Sequence, residues 1–440
     1  MTKNIDIRVE YLTRVEGHGT IVVNVRNGTL QECRLDIIES PRFFEGMLRN
    51  RSIFEAQHIT SRICGICACG HSLASIQAAE DALKIMVSKQ TTALRKLLLY
   101  QEILDSHILH AYLLVAPDLF EAPSFIPLVR THNKVVRRAL RMKKTCNDVC
   151  DILVGRHVHP ISAIVGGFTK LPGKEELEKM AELLNGMKPD MDATVDLFSS
   201  LKFPNFERET EYVGLINDKD EYPLLEGDIG TTDGLRLPKY RYRDITNEFI
   251  VPHSSAKHAR ANRESYMVGA LARFNLNGDK LHPKARKAAS ALNLSRPTYN
   301  PFLNTAAQIV ECVHTLEEST SIINQFIVSG VDPDEAITVG LNENGKIPVR
   351  AGNGVGAVEV PRGLLFHNYE IDDSGKIVNA NCIIPTAQNL ENIELDMKHL
   401  VPEIVNKGKS EITKTLEMLV RAYDPCISCS AHFLNVTFIE

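Results

Sequence analysis

Arg62-Ile63-Cys64-Gly65-Ile66-Cys67-Ala68-Cys69-Gly70-His71 contains a Cys-x-x-Cys pair, and Asp424-Pro425-Cys426-Ile427-Ser428-Cys429-Ser430-Ala431-His432, close to the carboxyl end, contains another. Two intervening residues let both sulfurs of a pair turn toward one metal, and each segment abuts a helical stretch able to hold it rigidly. The plain alternative is a structural zinc site of four cysteines, because soft thiolates suit zinc well. Zinc ribbons are local, however, with pairs typically separated by roughly 15 to 20 residues. Here almost the whole chain lies between the pairs. A site closed by both ends of a large core has the layout of a buried catalytic centre.

Working outward, the chain of 440 residues is 44% hydrophobic, enough for a sizeable core,. Its formal net charge of -5 contains no long run of either sign, so nothing points to nucleic acid or another polyanion,. No run of eighteen apolar residues occurs, and the start MTKNIDIRVEYL has neither a cationic nor an apolar signal region,. The expectation is a soluble cytoplasmic protein with no direct membrane insertion. In that compartment the ten cysteines stay reduced, and clustered ones bind metal rather than pair,.

The stretch before residue 60 alternates β-branched residues in IDIRVEYL, GTIVVNV and LQECRLDII, with Asn27-Gly28 as a hairpin turn, and predicts a small antiparallel sheet,. From about residue 88 the period becomes helical, and Leu97, Leu98, Ile103, Leu104, Ile108, Leu109, Leu113 and Leu114 form one apolar face,. Further helices are predicted at about 133 to 154, 174 to 200, 304 to 328 and 396 to 422,. The Pro- and Gly-punctuated stretch 203 to 250 reads as loops and short strands,. The fold class is α+β, a central bundle of long helices with small flanking antiparallel sheets. The chain reads as a single domain, 1–440. Within it lie a β-rich part (1–60), a helical core with the first pair (61–202), a loop- and strand-rich part (203–300), a helical part with the second pair (301–432) and a tail (433–440).

RICGICACGHS and DPCISCSAH resemble the two signature motifs of the nickel-iron hydrogenase large subunit. The likeness extends through RVEGHG, GRHVHPISAIVGGFTKLP, HSSAKHARANRESYMVGALARFNLNG, EVPRGLLFHNYEID and NCIIPTAQN. It implies reversible heterolytic cleavage of dihydrogen and the fold of that family. By the same resemblance Cys64 and Cys426 bind nickel terminally, while Cys67 and Cys429 bridge it to an iron carrying a carbonyl and two cyanides. Glu16 matches the glutamate that exchanges a proton with a terminal thiolate. Arg362 matches the arginine over the metals, flanked by Asp118 and Asp424, with Pro361 shaping an apolar pocket and Thr386 donating to a cyanide. Either Arg362 or the Cys426-Glu16 pair could be the first base. Glu45, the backbone carbonyl of Cys382 and His432 match a second site, for Mg2+ or Fe2+. His71 is expected to donate to a bridging sulfur rather than ligate, and Cys69 to be a small buried residue.

No further cysteine cluster remains for an electron relay, so an iron-sulfur small subunit is required, followed by a flavin or iron-sulfur electron-transfer subunit. The resemblance is greatest to the cytoplasmic multimeric group linked to nicotinamide, deazaflavin or heterodisulfide-reductase modules. It also implies maturation proteins and a protease that removes a carboxyl-terminal extension; FLNVTFIE after His432 is shorter than usual. The alternatives are the catalytic subunit of a membrane-bound energy-converting hydrogenase, and the quinone-site scaffold of respiratory complex I, which lacks the thiolates. GNGVG at 352 to 356 lacks the spacing of a dinucleotide fingerprint, and the sequons at Asn27, Asn293 and Asn435 mean nothing without secretion,. Cys146 and Cys150, at i and i+4, read as core.

Overall fold

The computed structural model describes residues 4–337 and 347–431. His432 and the tail 433–440 lie outside the described residues. The amino-terminal alternation yields β1 (Ile5–Val9), β2 (Gly19–Arg26) and β3 (Thr29–Ile37), an antiparallel sheet in that order. Its buried face carries Ile21, Val23, Val25 and Leu35. Asn27 and Gly28, with φ of 52° and 79°, make the predicted turn between β2 and β3,.

Helix α1 (Ala68–Leu83) begins directly after Cys67 and is buried along most of its length. Ser88 caps α2 (Lys89–Leu109), accepting from the Thr91 N–H at 3.0 Å,. The predicted apolar face of α2 is buried as far as Ile108. Leu109, Leu113 and Leu114 are only half-buried, because the helix then widens into a π turn over His110–Val115. That turn rotates the following residues away from the expected face. Helices α3 (Asn133–Val154), α4 (Lys174–Ser199) and α5 (Asn304–Ser329) fall where the periodicity puts them. The bundle packs α5 against α2 and α4, with α3 on α2.

Two expectations for the carboxyl-terminal part are corrected. The single helix expected at 396 to 422 is two, α6 (Pro385–Ile404) and α7 (Lys409–Ala422). Pro402 and Gly408 disfavour continuous helix between them. The part read as helical also contains an antiparallel sheet, β4 (Gly352–Val360), β5 (Gly363–Ile371) and β6 (Ile377–Ile383). Both faces of β5 are covered, so its apolar run gives no alternation to read,. The GNGVG stretch belongs to β4, which lies flat on α1. A Cβ at Gly354 would meet Ala78 O at 2.2 Å, and one at Gly356 would meet Ala74 O at 2.0 Å. These glycines serve close strand–helix packing.

The stretch 203 to 250 does form loops and short strands. Glu211–Ile216 pairs antiparallel with Asp228–Thr231 and parallel with Tyr266–Met267. One apolar core runs from Ile7 to Cys429, joining residues from both ends of the chain. Among the described residues, no helix is long and apolar enough to cross a membrane.

Candidate metal centre

The two Cys-x-x-Cys segments meet in the interior. Cys64 follows the short helical turn Ser61–Ile63 in extended conformation, and Cys67 is the residue that precedes α1. The Ile66 and Cys67 N–H groups point at Cys64 Sγ, at 3.3 and 3.5 Å. Asp424, in left-handed conformation with φ of 52°, ends α7 and turns the chain into the one-turn helix Ile427–Ser430. The sulfurs of Cys64, Cys67, Cys426 and Cys429 all lie within 4.8 Å of one another and are buried. Cys64 Sγ is 3.6 Å from Cys426 Sγ. Cys426 and Cys429 form a disulfide here, a departure from the four thiolates expected. Sulfurs gathered by a Cys-x-x-Cys turn are poised to pair with each other, and metal ligation requires the reduced dithiol. In donor type and convergence the four residues fit a soft transition-metal centre.

Several side chains hold the halves together. Arg42 donates through Nη2 to Ile63 O and to Ser428 O, each at 2.6 Å, bridging the two segments. Glu16 Oε2 lies 3.1 Å from Cys426 Sγ; the same carboxylate accepts from the Ser428 N–H at 3.1 Å and also pairs with the Ser428 hydroxyl. Its own carbonyl accepts from the Ile427 N–H at 2.9 Å. Gly17 makes this approach feasible: a Cβ there would meet Ser428 N at 2.7 Å. Thr386, on the first turn of α6, accepts from the Cys426 N–H at 2.9 Å.

Arg362 reaches the sulfurs from the β4–β5 turn. Its Nε donates to Asp424 O at 2.8 Å and its Nη2 to Asp424 Oδ1 at 2.9 Å. Burial opposes its charge, but Asp424, Cys67, Cys64 and Glu16 outweigh that and hold its pKa above the ordinary range. The hydrogen bond from Cys67 brings the Cys64 thiol down to about 7, with burial resisting and Arg362 assisting. Cys67 is pushed well up by the same hydrogen bond and by burial.

Among known proteins, the family model described as nickel-dependent hydrogenase matches residues 42–127 and 231–432. The chain belongs to the nickel-dependent hydrogenase family. It is a catalytic large subunit, and its membership implies a nickel centre and partner subunits. The chain is 33% identical to the alpha chain of sulfhydrogenase 1 from Pyrococcus furiosus, over 98% of its own length and 99% of the relative. It is 34% identical to the alpha chain of sulfhydrogenase 2 from the same organism, over 98% of its own length and 100% of the relative. The fold matches the crystal structure of an NAD+-reducing [NiFe]-hydrogenase in the H2-reduced state with a TM-score of 0.85. That match is 24% identical and covers 97% of this chain and 99% of the other.

Asp118 accepts from Arg421 Nε at 2.8 Å and Nη2 at 3.0 Å, and from Arg14 Nη2 at 2.5 Å. Glu45 accepts from the Cys382 N–H at 2.8 Å. Burial raises the Glu45 pKa. His71 is buried with its Nδ1 at 3.1 Å from His367 Nε2. Pro361 sits at the β4–β5 turn, its carbonyl accepting from Arg273 Nη2 at 3.2 Å. Cys69, Cys146 and Cys150 are buried, as expected of core residues.

Three residues of this hydrogenase escape sequence reasoning. Arg42 gives no pattern of its own. Glu102, inside the apolar run of α2, accepts from the Cys69 N–H at 2.7 Å and the Gly70 N–H at 3.0 Å, and burial lifts its pKa to about 8. Arg273 is fully buried between Glu311 and Glu359, at 2.6 and 3.0 Å, and also donates to Val360 O at 3.0 Å. It thereby fixes the turn that carries Arg362. The signal available for both Glu102 and Arg273 is a charge within an apolar run, which implies a buried partner.

Proposed function

We propose that this subunit splits dihydrogen heterolytically at a nickel-iron centre held by Cys64, Cys67, Cys426 and Cys429, with Glu16 exchanging the proton at Cys426. The carrying observation is the 3.1 Å contact between Glu16 and Cys426 Sγ within a buried four-sulfur group. When bound, the centre, with one carbonyl and two cyanides on iron, supplies the Lewis acidity that polarises dihydrogen. Cys64, Cys67, Cys426 and Cys429 would hold it. A proton on Cys426 Sγ has Glu16 within hydrogen-bond reach, and half-buried Glu16 passes it outward,. The Cys426-Glu16 pair is favoured over Arg362 as the base, because Arg362, paired with Asp424, is held in its charged form.

In this reading Arg362 and Thr386 face the cyanides, since a guanidinium and a hydroxyl donate to anionic groups. Pro361 walls the apolar side, His71 supports a bridging sulfur, and Asp424 orients Arg362. Glu45, the Cys382 carbonyl and His432 would hold Mg2+ or Fe2+. Electrons leave through an iron-sulfur small subunit to a flavin or iron-sulfur subunit in a cytoplasmic complex. Supporting this, the described residues contain no second cysteine cluster able to hold a metal. The test is elemental analysis with infrared spectroscopy on the natively purified complex. Nickel and iron with one carbonyl and two cyanide bands are expected; zinc alone, without such bands, would sink the assignment.

A further inference from the structure

A second group of metal-ligating side chains lies away from that centre, where residues 249–258 pack against α6 and β3. His253 Nε2 is 2.7 Å from Glu394 Oε1, and His258 Nδ1 is 2.7 Å from Glu391 Oε2. Glu391 and Glu394 share one face of α6 by their spacing. Glu394 stands eight residues beyond Thr386 on that helix, about 12 Å along its axis. One ligand atom each from His253, His258 and Glu394 lie within 4.8 Å of one another.

The decisive feature is His258. Its side chain is fully buried, Glu391 engages Nδ1, and Nε2 has no hydrogen-bond partner. Leaving a buried polar nitrogen unpaired is destabilising, and a bound cation would satisfy it. A carboxylate that accepts a hydrogen bond from Nδ1–H fixes the tautomer in which the Nε2 lone pair is free, which is how imidazole ligands are commonly oriented. The other ligands are also held in advance. The Leu35 N–H donates to Glu394 Oε1 at 3.0 Å. The Ile37 N–H donates to His253 O at 3.1 Å, and the Ser255 N–H to Ile37 O at 3.0 Å. His253 borders a surface cavity of about 810 Å³, through which an ion and water can enter.

We propose that His253, His258 and Glu394 bind one divalent cation of the zinc class, with Glu391 orienting His258 and water completing the coordination from the cavity. Two imidazoles and a carboxylate suit zinc, whereas magnesium and calcium favour all-oxygen shells. The ion pins segment 249–258 to α6 and β3 and takes no part in hydrogen chemistry.

The experiment is a titration of the chelator-treated, purified complex with Zn2+ alone, followed by zinc K-edge absorption. Wild type should take up one zinc with nitrogen and oxygen neighbours at about 2.0–2.1 Å and no sulfur. His253→Ala, at a half-buried position, should lose that zinc while keeping its nickel content. Glu391→Gln should bind it 10- to 100-fold more weakly. Sulfur neighbours at about 2.3 Å, zinc uptake by His253→Ala equal to wild type, or no zinc bound by wild type would each overturn the proposal.

Discussion

Cys64 and Cys67 lie on the approach to α1, a buried helix of 16 residues packed on β4, whereas Cys426 and Cys429 lie on a single helical turn of 4. The first pair is positioned by the helix it opens: Glu102 on α2 satisfies the N–H groups at the start of α1, as a carboxylate at a helix amino terminus does,. The second pair depends on residues remote in sequence, Glu16, Arg42, Arg362 and Thr386. One turn of helix is not stable alone. One half of the site is therefore a preformed wall and the other a docked closure, and the centre is complete only when the chain's two ends are joined.

The largest effect should come from the closure's own ligand. Cys426→Ser is expected to lose nickel and hydrogen uptake together, measured by elemental analysis and an uptake assay; full nickel with normal turnover would remove Cys426 from the ligand set. Next comes Glu16→Gln, which keeps an acceptor for Ser428 but cannot carry a proton. Metals should be retained while hydrogen-deuterium exchange falls about 10²–10⁴-fold; unchanged exchange would move the relay elsewhere.

Arg42→Ala probes the docking itself. Losing its charged hydrogen bonds should weaken the closure by about 2 kcal/mol, roughly a 30-fold gain in its open population. Amide exchange should then rise at Ile427 and Ser428 and stay slow in α1. Equal acceleration of both segments would show that the halves are not distinct in the way described.

The smallest effect on the comparison should come from outside both halves. His314 on α5 is held neutral to about 4, because burial outweighs the pull of Glu311. The unfolded chain binds this proton near 6.5, so it holds more protons than the folded one between about 4 and 6.5 and stability falls as pH drops through that window,. The shift corresponds to about 3 kcal/mol. His314→Gln, which leaves an acceptor for the His282 N–H, should flatten this acid limb in thermal unfolding without changing exchange per nickel. A limb as steep as in wild type would assign it to other groups.

Much of this is legible in the chain. The helices α3, α4 and α5 carry strong 3.6-residue periodicity, and the hairpin at Asn27-Gly28 follows from turn chemistry. Pro402 and Gly408 mark the break between α6 and α7, but apolar spacing continues across it and masks the signal. Strands β4 and β5 are not legible, because strands covered on both faces lose the alternation that marks them,. Asp118 shows the limit for charges: its partners Arg421 and Arg14 lie far from it in sequence, and only the tertiary structure brings them to it.

By itself the sequence determined the donor chemistry, four cysteines in two rigid pairs, and the local conformations that a few neighbouring residues dictate. Tertiary structure alone decided what those donors face. Arg42 joins the halves, Glu16 meets Cys426, and Arg273 aims Arg362, because a buried charge is placed by whichever distant partner offsets its desolvation, and no local pattern encodes that partner.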